Sequence, residues 1–268
     1  MSSEEVTATF LGIVQGLTEF LPVSSSGHLV VFQHWLPAMQ GDKLSFDLLL
    51  HIGTLIPVVW VYRNDILVIF KDMAPQNTPF IERSGIRMMG LIVVGSVPTA
   101  VIGLLFKETF TSLFDQPGLV GIAFAVTGTA LFATKYISKS NRSLNEFTWK
   151  DAILIGLIQG MAITPGISRS GSTIAAALFL GLKRDLAAKY SFLLSIPVIG
   201  GAFLLEVREM DTSLLVSTPF VLGFFASIIS GYFALIILLR LVKGGDFSKF
   251  CWYLWPLAVV TIVYGFWL

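Results

Sequence analysis

The stretch from Leu11 to His28 constrains this chain most. There, sequence of membrane character suddenly carries a carboxylate (Glu19), three hydroxyls (Ser24, Ser25, Ser26) and an imidazole (His28) around Pro22. Lipid-facing sequence cannot leave such groups unpaired, because charge and unmet hydrogen bonds are costly in hydrocarbon. The stretch must therefore turn inward on a protected polar site. An echo lies 144 residues later: residues 11–28 laid over 155–172 coincide at Gly12/Gly156, Gln15/Gln159, Gly16/Gly160, Ser24/Ser168, Ser26/Ser170 and Gly27/Gly171. The same offset aligns Leu49/Leu193, Leu50/Leu194 and Ile52/Ile196, so an internal duplication extends past the motif.

At 54% hydrophobic and 13% charged over 268 residues, the sequence is too apolar for a soluble domain. It reads as an all-α polytopic membrane protein, a single membrane domain over 1–268. A net charge of +1 gives no reason to expect nucleic acid. The lone Cys251 excludes an internal disulfide and makes no zinc site. The acidic start Met1-Ser2-Ser3-Glu4-Glu5 lacks the basic region of a signal peptide, so the first apolar segment is expected to stay in the mature protein.

Apolar runs predict continuous spans at about 45–62, 88–106, 119–137, 189–206, 214–241 and 251–268, with polar connections at 63–87 and 107–118. Pro57 and Pro98 fall inside two of them and are expected to kink them. Residues 6–21 and 27–36 are each too short to cross about 30 Å of hydrocarbon, and so are the pieces of 151–181 on either side of Thr164-Pro165-Gly166. The expected layout is six transmembrane helices plus two re-entrant helical hairpins in an inverted-topology repeat. Repeat one covers about 6–137, repeat two about 150–268, and the linker about 138–149. Charge counting agrees: fourteen basic residues, Lys139 of the linker among them, fall on one side, and Lys43, Lys107 and Arg208 on the other. Arg169 lies within the second hairpin. Both termini are then outside, with the first hairpin entering from outside and the second from the cytoplasm.

Gln15 and Glu19 are four apart and share a helix face. Together they could hold a hard divalent cation beside phosphate oxygens; alternatively Glu19 is a structural partner of Arg169. The run from Gly166 to Gly171 is expected to open a half-helix whose free N–H groups, hydroxyls of Ser168 and Ser170, and Arg169 fork converge on an anion. Ser172 and Thr173 follow in its first turn, as phosphate donors or as satisfied helix residues. His28 sits within reach of Ser24, Ser25 and Ser26, which suits a nucleophile and its base, or a capped helix with a hydrogen-bonded imidazole. His34 reads as interfacial and His51 as a core residue, with Asp47 one turn before it as either a partner or a bystander. An acid, an imidazole and an anion clamp divided between two related halves point to phosphoryl chemistry. The rival class is a transporter or flippase for an anionic lipid, because inverted repeats with broken helices are a recurring transporter architecture. A structural scaffold leaves the polar groups unexplained.

The pair Gln15-x-x-x-Glu19, the run Pro22-Val23-Ser24-Ser25-Ser26-Gly27-His28 and the run Pro165-Gly166-Ile167-Ser168-Arg169-Ser170-Gly171-Ser172-Thr173 strongly resemble the bacterial undecaprenyl-diphosphatase family, also called bacitracin-resistance proteins. The resemblance covers essentially the whole chain. It implies a multi-pass inner-membrane enzyme that hydrolyses undecaprenyl diphosphate to the monophosphate, recycling the lipid carrier for cell-wall synthesis and conferring bacitracin resistance. It further implies a site facing the periplasm, a polyprenyl diphosphate and membrane lipid as partners, and a divalent cation, Mg2+ or Ca2+. A homodimer is among the expectations. Carried over, Glu19 and Gln15 serve metal or water handling, Ser25 and His28 the attack, and Arg169 with Ser24, Ser26, Gly166, Ser168, Ser170 and Thr173 the phosphate. Many relatives have Glu where this chain has Gln15, which shifts weight onto Glu19.

Overall fold

In the computed structural model, residues 2–36, 43–75, 79, 82–137, 141–208, 214–244 and 246–267 are described. Among them there is no strand, only one isolated bridge between Arg142 and Leu182. Twelve α-helices follow in order: α1 (Ser3–Phe20), α2 (Ser25–Trp35), α3 (Lys43–Val61), α4 (Arg63–Met73), α5 (Ser84–Leu105), α6 (Lys107–Leu113), α7 (Pro117–Ala133), α8 (Trp149–Met161), α9 (Arg169–Phe179), α10 (Arg184–Glu206), α11 (Thr218–Gly244) and α12 (Cys251–Trp267). Six are long and apolar enough to cross a membrane: α3, α5, α7 extended to Tyr136, α10, α11, and α12 with the turn before it. These are the six predicted spans.

Two sequence expectations need correction. The stretches read as polar connections contain α4 and α6. In α4, charged Arg63, Asp65 and Lys71 are interleaved with Leu67, Val68 and Phe70 on a helical period, which lowers the apolar average without breaking the helix. Helix α10 begins at Arg184, five residues before the predicted span, because helical geometry continues through the charged turn flanking the apolar run. Helices α3 and α5 continue through Pro57 and Pro98. Lys139 and residues 138–140 of the expected linker lie outside the described residues.

Helices α1 and α2 pack on each other, as do α8 and α9. Helix α1 packs closely along α11, and α8 along α5. Small residues permit this approach: a Cβ on Gly12 would collide with the Gly223 carbonyl oxygen, and one on Gly156 with that of Gly95. Helix α12 lies along α7. The core between these pairs is built from Phe20, Phe124, Phe147, Tyr190, Phe192 and Leu194, all at most 1% exposed. Arg142 ties α8 to α9. Its guanidinium donates to the Leu180 and Glu146 carbonyls, each at 2.6 Å, and to Asp151 at 2.7 Å. The Arg142 N–H donates to the Gly181 carbonyl at 2.9 Å, and the Arg142 carbonyl accepts from Lys183 N–H at 3.0 Å.

Candidate functional site

The first helix break follows Phe20. Ser24, at φ 68° and ψ 98°, is the one non-glycine residue with positive φ among those described. Such a backbone costs on the order of 1–3 kcal/mol and persists only where several contacts fix it. Here the Ser24 hydroxyl accepts from Gly27 N–H at 3.4 Å, capping α2, and from Gly166 N–H of the second break at 3.1 Å. The Ser24 carbonyl accepts from His28 N–H at 3.2 Å and lies 2.7 Å from His28 Nδ1. A carbonyl can only accept, so Nδ1 carries the proton.

The second break runs from Ala162 to Ser168 and rests on α7. Thr127 Oγ1 donates to the Gly166 carbonyl at 3.0 Å and accepts from Ser168 N–H at 3.1 Å. Gly166 has φ +95°, a conformation open to glycine because it lacks a Cβ. Helix α9 starts at Arg169 rather than at Gly166, with Ser168 as its N-cap accepting from Gly171 N–H at 3.0 Å. Gly166 is therefore outside the helix, its N–H and carbonyl committed to Ser24 and Thr127. The two breaks touch directly through Ser24 and Gly166, and again through Ser170 Oγ, which donates to the Leu21 carbonyl at 3.4 Å.

Glu19 is the centre of the junction. One carboxylate oxygen pairs with Arg169 Nη2 at 2.5 Å. The other accepts from Ser25 Oγ at 2.6 Å and Gln15 Nε2 at 2.9 Å, with His51 Nε2 at 3.5 Å. Glu19, Ser25 and Gln15 are all buried. The ion pair is the partnership with Arg169 expected as one alternative for Glu19, and the same carboxylate also accepts from the Ser25 hydroxyl. Two buried polar atoms here have no partner among the described residues, Arg169 Nη1 and Gln15 Oε1. An unsatisfied buried donor on a guanidinium and an unsatisfied buried acceptor beside a carboxylate are costly unless a further group completes them.

The other expected residues divide. Ser24, Ser26, Ser168 and Ser170 are at the junction, with Ser24 and Ser26 hydroxyls 3.3 Å apart and those of Ser168 and Ser170 also 3.3 Å apart. Thr173 is fully buried, and its hydroxyl is committed to the Arg169 carbonyl at 2.8 Å and to Ser191 at 2.6 Å. His28 does not pair with Ser25 as a nucleophile–base couple would; its Nε2 lies 2.7 Å from Tyr253 Oη. His34 stacks edge-on to Tyr264.

Two residues escaped the sequence reading. His51, expected in the core, faces Glu19, with its Nδ1 at 2.7 Å from the Asp47 carbonyl. Tyr253 is 225 positions from His28 and carried no local motif; the stacking of α12 on α7 brings it there. The one signal available for His51 was its placement on a span with Asp47 a turn before it.

Among the described residues no cluster of three or more His, Cys, Asp or Glu could enclose a metal ion. The donor set that remains is Glu19 and the unpartnered Gln15 Oε1. Two oxygen donors fit a cation that keeps most of its waters and takes the rest of its shell from phosphate, the habit of Mg2+. They do not make the six- to eight-oxygen cage of a tight Ca2+ site.

Fold and site together define a polytopic helical membrane protein with a buried carboxylate–guanidinium centre between two interrupted helices. Known proteins narrow the class. The chain belongs to the bacitracin resistance protein BacA family, whose pattern it matches over residues 8–260. It is 43% identical over 268 residues to a protein of Alkaliphilus metalliredigens (strain QYMF) described as undecaprenyl-diphosphatase, covering 96% of this chain and 98% of the relative. Proteins with the same description from Carboxydothermus hydrogenoformans and Desulfosudis oleivorans are both 44% identical, covering 96% and 98% of this chain and 95% and 99% of theirs.

Proposed function

We propose that this chain hydrolyses undecaprenyl diphosphate to undecaprenyl phosphate and inorganic phosphate, with the reaction placed where the two helix breaks meet. The observation that carries the reading is Arg169. One arm of its guanidinium is anchored on Glu19 and the other, Nη1, is buried without a partner, as an anion clamp awaiting a phosphate oxygen requires. Ser25 is the nucleophile best supported, because its hydroxyl already donates to a carboxylate at 2.6 Å. Attack by Ser25 Oγ on the terminal phosphorus forms a phosphoserine and breaks the bond to the bridging oxygen, which leaves on the lipid monophosphate. The Ser25 proton passes to Glu19. Water then attacks the phosphoserine and its proton reaches His28 Nε2; the P–Oγ bond breaks, Ser25 recovers its proton from Glu19, and the imidazolium gives its proton to the departing phosphate. A divalent cation held by Glu19 and Gln15 would offset phosphate charge.

The breaks read as the tips of two re-entrant hairpins in an inverted repeat. Supporting this, contacts recur in exchanged pairs: Gly12 presses on Gly223 as Gly156 presses on Gly95, and Gly27 faces Gly166 as Gly171 faces Pro22. The offset of 144 relates Gly12 to Gly156, Gly27 to Gly171 and Pro22 to Gly166. With basic residues concentrated on one side, the first hairpin opens to the periplasm, which gives the diphosphate its entry.

Phosphate release from a polyprenyl diphosphate by purified protein in detergent, with and without chelator, tests the reading. Release should be abolished by Arg169→Ala and lowered by chelator. Lipid movement across vesicles without any phosphate release would instead assign the protein to the transporter class.

A further inference from the structure

His28 is held from both ring nitrogens. Nδ1 donates to the Ser24 carbonyl, which leaves the neutral ring a lone pair on Nε2, and Tyr253 Oη lies 2.7 Å from it. The two rings are parallel within 6°, with centroids 5.8 Å apart, while Phe124 meets the imidazole edge-on at 5.3 Å. His28 is 4% exposed and Tyr253 50% exposed, so the contact joins a buried base to a side chain on the rim of the protein. Helix α12 cannot drift from this place easily: a Cβ on Gly121 would strike Ile262, and one on Gly128 would strike Trp255.

We propose that Tyr253 passes the proton of the attacking water to His28 Nε2 and holds the imidazole at that nitrogen in both of its protonation states. This rests on the reading of His28 as the base for the second half-reaction. A hydroxyl suits the task because it both donates and accepts. It donates to Nε2 of the neutral ring; as the attacking water gives Oη a proton, Oη passes its own to Nε2, and it then accepts from the Nε2–H so formed. A ring held only at Nδ1 can swing about its Cβ–Cγ bond, and a displaced base loses much of its effect on the rate.

The test compares wild type with Tyr253→Phe, which keeps the ring and its stacking. Phosphate release from a soluble short-chain polyprenyl diphosphate in detergent gives kcat and KM, and 15N NMR of labelled histidine gives the state of His28 Nε2. The expected result is a fall in kcat of roughly tenfold, equal to about 1.4 kcal/mol, with KM within about twofold and a displaced Nε2 resonance. An unchanged kcat overturns the proposal whatever the resonance does. A raised KM with kcat intact also overturns it, since Tyr253 would then be a substrate contact. Absence of release from the wild-type protein would refute the hydrolase reading and this proposal with it, while the resonance would still report the His28–Tyr253 contact.

Discussion

At the first helix break Ser24 caps α2 from a left-handed backbone, whereas at the second Ser168 caps α9 from an extended one, at φ −72° and ψ 117°. Around this difference the two breaks do the same structural work: each serine closes its helix, each has a second hydroxyl 3.3 Å away, and each is followed by a glycine facing the opposite break. What they carry is different. Glu19, Ser25 and His28 of the first stand where Ile163, Arg169 and Ser172 stand in the second. Capping and close approach are demands of the backbone and fall on both breaks alike. A reacting centre needs each charge only once, so the acid and the guanidinium can be shared out. The left-handed Ser24 marks the asymmetry in the backbone, for it turns a hydroxyl onto Gly166 while presenting its carbonyl to His28.

The largest effect expected from breaking this division is at Glu19. Glu19→Gln removes the proton acceptor and should lower phosphate release by about 10²–10⁴-fold, the usual scale for a general base, while Ile163→Ala at the matching place leaves it near wild type. Next is Arg169→Lys, which keeps the charge but loses the fork; a fall of roughly 10–100-fold in kcat/KM is expected, with the buried ion pair to Glu19 partly retained. Thermal unfolding compares the caps. Ser168→Ala should cost about 0.5–2 kcal/mol, and Ser24→Ala more, since it also removes the tie to Gly166; Ser24→Gly should cost less than Ser24→Ala, because glycine tolerates the left-handed backbone. The smallest effect is at the matched amides. Gln159→Leu should leave turnover unchanged, because Gln159 donates to Thr99 away from the carboxylate, whereas Gln15→Leu should lower turnover several-fold and weaken any cation dependence.

Much of this was legible along the chain. Six spans stood out because membrane length and low charge act over about twenty residues at once, and the breaks stood out because serine, glycine and proline interrupt apolar runs. The offset of 144 already paired the serines that prove to be the two caps. Helices α4 and α6 were missed because short amphipathic helices lack the sustained apolar signal of a span. Tyr253 and His51 were missed for a different reason: each reaches the centre through packing between distant helices, α12 on α7 and α3 beside α1, and pairing of that kind leaves no local pattern. The start of α9 was placed early because a glycine before a helix looks like its opening, while the positive φ of Gly166 depends on the bonds of α7 to that loop.

The central claim is that Glu19 of one break and Arg169 of the other act on a single phosphate as one unit. A double-mutant cycle of Glu19→Gln and Arg169→Lys, read as kcat/KM for phosphate release, tests it most directly. Coupled residues should lose little more together than the worse single variant loses alone, a departure from additivity of at least about 1.4 kcal/mol. If the two losses simply multiply, the carboxylate and the guanidinium act independently and the shared centre does not exist.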